Sequence, residues 1–319
     1  MPKRCDFRLI GDPHLTRKFE FGVPLARRGE RERLLFEDFE KRLYEGDERI
    51  IIMVGDLLEK PICSLRDAYT IYSMVLDAAK NQPQRLILLL AGNHDISPQK
   101  DNPGAFDILK LFDERYPNLR VIMKPTVIER IALFPWEWDR TALEQLEEVQ
   151  AGTFDVAVGH WDLVAYDEMH MDHYCPAAEL VEMGAESLYS GHWHVAGDYK
   201  VDGVTVHCTG SMQPMTHAED PDGKLYVTMD YKDYLEADPE TLKDKYIRVV
   251  AEEGEEVEAP TDCLGFKVQR ARSDDYEYDY GEVEIEDFSS KEVVKKNLKK
   301  HKVPESVEDF IMERLNVAD

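Results

Sequence analysis

Short apolar runs, each closed by a glycine and a polar side chain, punctuate the first two-thirds of the chain. Phe7 to Ile10, Ile50 to Val54, Leu86 to Ala91, Asp155 to Val158 and Ser187 to Ser190 are brief, mostly apolar and often β-branched. They predict buried strands. Between them, apolar positions recur at helical spacing. Leu34 to Leu43 predicts one helix. Leu65, Ala68, Tyr69, Tyr72, Val75, Leu76 and Ala79 mark the apolar stripe of a second, and Phe106, Leu109 and Phe112 a further apolar face; such stripes usually face a core.

The residues just past each strand carry the chemistry. They cluster as Gly11-Asp12-Pro13-His14, Gly55-Asp56, Gly92-Asn93-His94-Asp95, Gly159-His160 and Gly191-His192-Trp193-His194. Open α/β sheets gather their chemistry past the C-terminal strand ends, where the loops converge on one crevice. A glycine there lets the backbone turn, so that the next side chain points into that crevice. Asp12, His14, Asp56, Asn93, His160, His192 and His194 form a set of oxygen and nitrogen donors without thiolate. That set suits Mn²⁺, Fe²⁺ or Zn²⁺, with Mn²⁺ first, and argues against a Cys-rich structural zinc site. Asp12/His14 and His192/His194 are two residues apart, so each pair faces one side of extended backbone. Two ions roughly 3.5 to 4 Å apart need a bridging carboxylate, and Asp56 is the candidate. His170, His173, His207, His217 and His301 fit no such pattern, and solvated roles are expected for His170, His173 and His301.

Length and composition bound the remainder. With 319 residues, 43% of them hydrophobic, the chain can bury a full core. No stretch approaches the ~20 apolar residues of a membrane span. The N-terminus carries no apolar segment of a secretory signal, and Cys5, Cys63, Cys175, Cys208 and Cys263 are scattered without metal spacing. A cytoplasmic protein with inert thiols is expected. The formal charge of −26 opposes nucleic-acid binding, which draws on Lys and Arg displacing counterions. The stretch after the first motif is the exception: Arg17, Lys18, Arg27 and Arg28 mark either a phosphate-contacting loop or a solvated loop entering the first helix.

In this order, Asp-x-His, Gly-Asp, Gly-Asn-His-Asp, Gly-His and Gly-His-x-His resemble the calcineurin-like metallophosphoesterases, whose implied fold is a four-layer αββα sandwich. Asp12-Pro13-His14-Leu15, Gly55-Asp56-Leu57 and Thr209-Gly210-Ser211-Met212-Gln213-Pro214, with Glu219 downstream, are similar to the SbcD-type nuclease subunits of DNA break-repair complexes. The resemblance covers roughly residues 6 to 230. It implies that Asp12, His14, Asp56 and His194 hold one metal, and Asp56, Asn93, His160 and His192 the other. His94 is left for catalysis, to hydrogen-bond the phosphoryl group or protonate the leaving oxygen. Asp95 either orients that imidazole or caps the following turn.

A boundary near residue 240 divides a catalytic domain, 1–240, from a C-terminal accessory region, 241–319. Tyr246 to Val250 and Leu264 to Val268 predict short strands there, and Lys291 to Lys300 and Ser306 to Leu315 a helix-loop-helix broken at Pro304. The resemblance implies DNA as substrate, an SbcC-like ATPase partner gripped by the C-terminal helices, and pairing of two copies through the second and third helices. The expected function is a Mn²⁺-dependent 3′ to 5′ exonuclease on duplex DNA, with endonuclease action on single strands. A phosphatase or cyclic-nucleotide phosphodiesterase shares all the metal residues, and a non-catalytic DNA- or ATPase-binding scaffold is the reading from another class.

Overall fold

The computed structural model describes residues 6–99, 102–164, 171–260 and 262–271. The chain divides into two compact units, Met1–Ala271 and Arg272–Asp319, and every described residue belongs to the first. His170, His301 and the expected helix-loop-helix lie outside the described residues.

Strands β1 (Phe7–Ile10), β2 (Ile50–Met53), β3 (Leu86–Leu90) and β4 (Leu119–Ile122) pair in that order, all parallel. Helices α1 (Glu30–Tyr44), α2 (Leu65–Asn81) and α3 (Ala105–Lys110) supply the crossovers. Side chains alternate across the sheet. Ile51, Met53, Ile87 and Leu89 pack in one cluster with Phe39 of α1 and Val75 of α2. Ile50, Ile52, Leu88 and Leu90 share another with Ile131, Leu133 and Val158 of a second sheet. Burial on both faces explains why these runs are apolar without alternation.

The second sheet contains β5 (Thr126–Ile128), β6 (Ile131–Phe134), β7 (Val156–Gly159), β8 (Ser187–Ser190), β9 (Gly197–Val201) and β10 (Val204–Cys208), ordered β5-β6-β7-β8-β10-β9. Its inner strands are parallel and the edge strands β5 and β9 antiparallel. Phe134, Ala157, Leu188 and Val206 pack with Ala142 of α4 (Ala142–Gln145) and Leu180 of α5 (Ala177–Glu182). The architecture is thus mixed α/β with one parallel and one mixed sheet, joined through a shared apolar layer.

A third, parallel sheet orders β11 (Tyr226–Asp230), β12 (Tyr246–Ala251) and β13 (Gly265–Arg270). Its strands come from both sides of residue 240, and Tyr226, Tyr246 and Leu264 join the same apolar cluster as α1 and the first sheet. In α2 the stripe read from the sequence splits. Val75 and Ala79 are buried together with Ile71 and Ala78, whereas Leu65 is 91% and Tyr69 74% exposed.

Phe39 has no exposed surface and lies where α1 meets the first sheet. Phe39→Ala removes that packing and leaves a cavity, an expected loss of ~3–5 kcal/mol, read as a lower urea midpoint at an unchanged slope.

Candidate metal centre

The strand ends deliver the donors. Asp12 and His14 follow β1, Asp56 follows β2, Asn93 and His94 follow β3, His160 follows β7, and His192 and His194 follow β8. Hydrogen bonds lock the two sheets together at this edge: His192 N donates to Asp12 Oδ2 (2.8 Å), and the His160 ring contacts Val54 O through Nδ1 (2.9 Å). The turn 209–214 clamps the first motif, with Met212 N donating to Asp12 O (3.0 Å) and Ser211 N to His194 O (3.1 Å).

The turns are not made as the glycines suggest. His14, Asp56 and His192 themselves take left-handed backbone, with φ of 45°, 49° and 69°. Such conformations are costly and persist where the surroundings impose them. Gly92 instead permits close approach, since a Cβ there would sit 2.1 Å from Asp56 Oδ1. Gly55 does both: its φ is 119°, and a Cβ would meet His160 Nδ1 at 2.0 Å.

Two groups of donors result. Ligating atoms of Asp12, His14, Asp56 and His194 lie within 4.8 Å of one another, as do those of Asp56, His160 and His192. Asn93 Oδ1 joins the second group, 3.0 Å from both His160 Nε2 and His192 Nδ1. Asp56 Oδ2 belongs to both, 3.5 Å from His14 Nε2 and 3.3 Å from His160 Nε2. Adjacent donors on one octahedral ion, each at ~2.1 Å, are separated by ~3 Å. These spacings fit that geometry.

Proton placement makes the fit sharper. His160 Nδ1 faces a carbonyl, which only accepts, so that nitrogen carries a proton and Nε2 is the ring atom turned to the centre, where a cation would displace the proton it shares with Asp56. The same reasoning applies to His192, whose Nε2 meets Asp162 Oδ1 at 3.0 Å, leaving Nδ1 unprotonated toward Asn93. His14 Nδ1 lies 3.0 Å from Glu59 and His194 Nδ1 3.4 Å from Glu219. Their Nε2 atoms face each other at 3.0 Å. Asp12 Oδ1 is buried with no hydrogen-bond partner. Acceptors converging on acceptors in a buried space call for cations, and the residues present fit two of them.

Glu59 and Asp162 escape sequence reading because their roles depend on spatial contact and no fixed spacing marks them; Glu219 stands out there only through the resemblance. His173, expected in solvent, stacks on Trp136 with ring centroids 3.6 Å apart, and Trp136 also flanks His192 at 5.2 Å. His94 Nδ1 donates to Glu59 O (2.7 Å), which leaves Nε2 for a ligand. Asp95 does not take part in orienting that ring: its oxygens accept from Leu57 N, Leu58 N and Gly92 N at 3.2, 2.9 and 2.9 Å. It braces the loops after β2 and β3.

The four basic residues read from the sequence part company. Arg17 lies 3.6 Å from Glu59 and so borders the centre. Lys18 meets Asp67 at 3.4 Å, and Arg28 is exposed. Arg27 is committed to Glu30 at 2.7 Å and Asp244 at 2.6 Å, tying its loop to the third sheet.

Without cations, Asp12 and His160 retain protons that metal binding would displace. Burial lifts Asp12 to about 7, with Asp56 adding to the rise and His160 opposing it. For Asp56 burial acts upward too, but His160 and His14 outweigh it and hold the group below the ordinary carboxylate range. Burial acts to lower His160, yet Asp56 and Asp12 carry it up to about 9. Burial is the main cause that lowers His14 and His192.

Asp12 and His160 thus have folded pKa values above their ordinary 3.8 and 6.5, so the metal-free chain binds more protons than the unfolded one and loses stability as pH rises toward 9. The Asp56 contribution, being depressed, is lost only below 3.8 and lies outside this window. Cations require those protons to leave, so their stabilisation grows over the same range. The melting temperature in Mn²⁺ minus that in EDTA is expected to widen between about pH 6 and about pH 8; a constant gap would contradict the assignment. Asp162→Ala removes the acceptor that fixes the His192 tautomer, and calorimetry is expected to show metal affinity falling ~10–100-fold.

No protein-family model matches the sequence, and no curated protein matches it. Among solved structures, the Pseudomonas putida nuclease MPE is a distant likeness, 17% identical over 66% of this chain and 76% of that chain, with a TM-score of 0.32.

Proposed function

We propose that the chain is a metal-dependent nuclease that hydrolyses phosphodiester bonds in DNA, of the SbcD type, with Mn²⁺ as the working metal. The observation that carries this reading is the inward convergence of four imidazoles on Asp12, Asp56 and Asn93. The sheets and outer helices support the αββα sandwich of the metallophosphoesterases.

Two divalent cations held there supply Lewis acidity toward a phosphoryl oxygen and a water of lowered pKa. The chain's own residues do the remainder. Asp56 would be shared between the two groups of ligands. Asp162 orients His192 through Nε2, and Glu59 and Glu219 lie beside the Nδ1 atoms of His14 and His194. His94, anchored by Nδ1, offers Nε2 to a phosphoryl oxygen or to the departing oxygen. Trp136, stacked on His173, lies beside His192 on that side of the centre.

The reading extends to 3′ to 5′ cleavage of duplex DNA, with endonuclease action on single strands, and to an SbcC-like ATPase partner at residues 291–315. A homodimer is part of it, supported by the exposed apolar side chains Ile62, Leu65, Tyr69 and Leu111 on and beside α2 and α3.

End-labelled linear duplex, closed circular DNA and bis-nitrophenyl phosphate, each in Mn²⁺ or EDTA, test the proposal. Mn²⁺-dependent shortening of the linear DNA is expected, reduced ~10²–10⁴-fold in His94→Ala. Hydrolysis of the small ester with every DNA intact would point instead to a phosphatase or small-molecule phosphodiesterase.

A further inference from the structure

Although the chain holds 65 acidic against 39 basic residues, one groove of about 260 Å³ reverses the balance. Arg17, Lys18, Arg248 and Lys267 line it against a single carboxylate, Glu20. Its walls are the loop after the first metal motif, the turn at 215–217 and the third sheet. Both loop walls touch the metal centre at one remove. Arg17 approaches Glu59, which faces His14. Met215 N and Thr216 Oγ1 donate to Glu219, which faces His194.

Tyr226 and Tyr246 stack at its back with centroids 4.7 Å apart and are only 6% and 7% exposed. Their hydroxyls and Arg248 Nε are shielded from solvent, so what the groove presents to a ligand is the charge of Arg17, Lys18, Arg248 and Lys267. Four cations against one carboxylate describe a receptor for anionic oxygen. The field there is strong enough that burial, then Arg248 and Lys267, push His217 down to about 4.

An anion alone leaves one feature unused. Phe21 is 82% exposed at the lip, with Lys267 Nζ 5.7 Å from its ring centroid. A bare aromatic face next to a cationic track is the combination that single-stranded nucleic acid uses, bases stacking while phosphates follow the charge. We infer that this groove holds one strand of nucleic acid beside the metal centre, its phosphates against Arg248 and Lys267 and a base on Phe21. The inference rests on the nuclease reading for the identity of the polyanion. An acidic peptide would use the cations and leave Phe21 idle.

Fluorescence anisotropy of a labelled oligothymidylate, with the full chain in EDTA to prevent hydrolysis, tests it. Phe21→Ala is expected to weaken binding ~5–150-fold, the worth of one base stacked on an aromatic ring. Arg248→Gln with Lys267→Gln is expected to flatten the slope of log affinity against log salt by ~1.4, two single-strand phosphate contacts. Phe21 and Lys267 are exposed, so their single variants should melt with the parent and report binding alone. Unchanged affinity and slope would overturn the inference, as would polyglutamate or tripolyphosphate binding equally well with Phe21→Ala silent. A parent that cuts DNA while the groove variants bind normally sinks the groove and leaves the nuclease standing. Groove-dependent oligonucleotide binding by a protein that cuts no DNA does the reverse.

Discussion

Four imidazoles are turned toward one another and toward carboxylate and amide oxygens in a confined space, and the rest of the structure exists around that constraint. Left to itself, such a cluster would scatter. It is held because the outer nitrogens of His160 and His192 meet Val54 O and Asp162, while those of His14 and His194 lie against Glu59 and Glu219. Those outer partners come from loops of both principal sheets. The apolar layer between the sheets therefore does more than bury surface, since it sets the distance across which the donors meet.

Much of this was legible because two periodicities coincide. Strands buried on both faces leave continuous apolar runs, and β1, β2, β3, β7 and β8 start and stop within a residue of where those runs do. Donor residues directly behind them then needed no long-range knowledge to be grouped. What could not be read was contact between distant loops. Asp162 and Glu59 sit in ordinary surroundings in the sequence and gain their roles from an imidazole brought in from another strand end. The edge hairpin of β9 and β10 was missed although Asp202-Gly203, with φ of 48° and 83°, is a recognisable turn pair. Arg248 and Lys267 are unremarkable in sequence too, and it is the parallel register of β12 and β13, which sets Arg248 against Lys267, that makes them neighbours.

The acidity of the chain acquires a local meaning at the centre. Asp12, Asp56, Glu59, Asp162 and Glu219 together with Arg17 would just offset two divalent cations. A filled centre would then exert little net pull on a polyanion. Attraction has to come from somewhere nearby, and the cationic groove is the neighbouring surface able to provide it. In the proposed nuclease, such a division of labour would tune the centre for charge developing on a phosphoryl group and leave capture to separate side chains.

Asp95 has a consequence for how the centre is maintained. Its carboxyl gathers the N–H groups of Leu57, Leu58 and Gly92, fastening the loop that bears Asp56 to the loop that bears Asn93. Burial and the nearby Asp56 push it up to about 8, against the pull of those N–H groups. The clasp is made entirely of protein. The spacing between Asp56 and Asn93 is thus braced by contacts in which no metal takes part, a frame lying outside the donor cluster that it steadies.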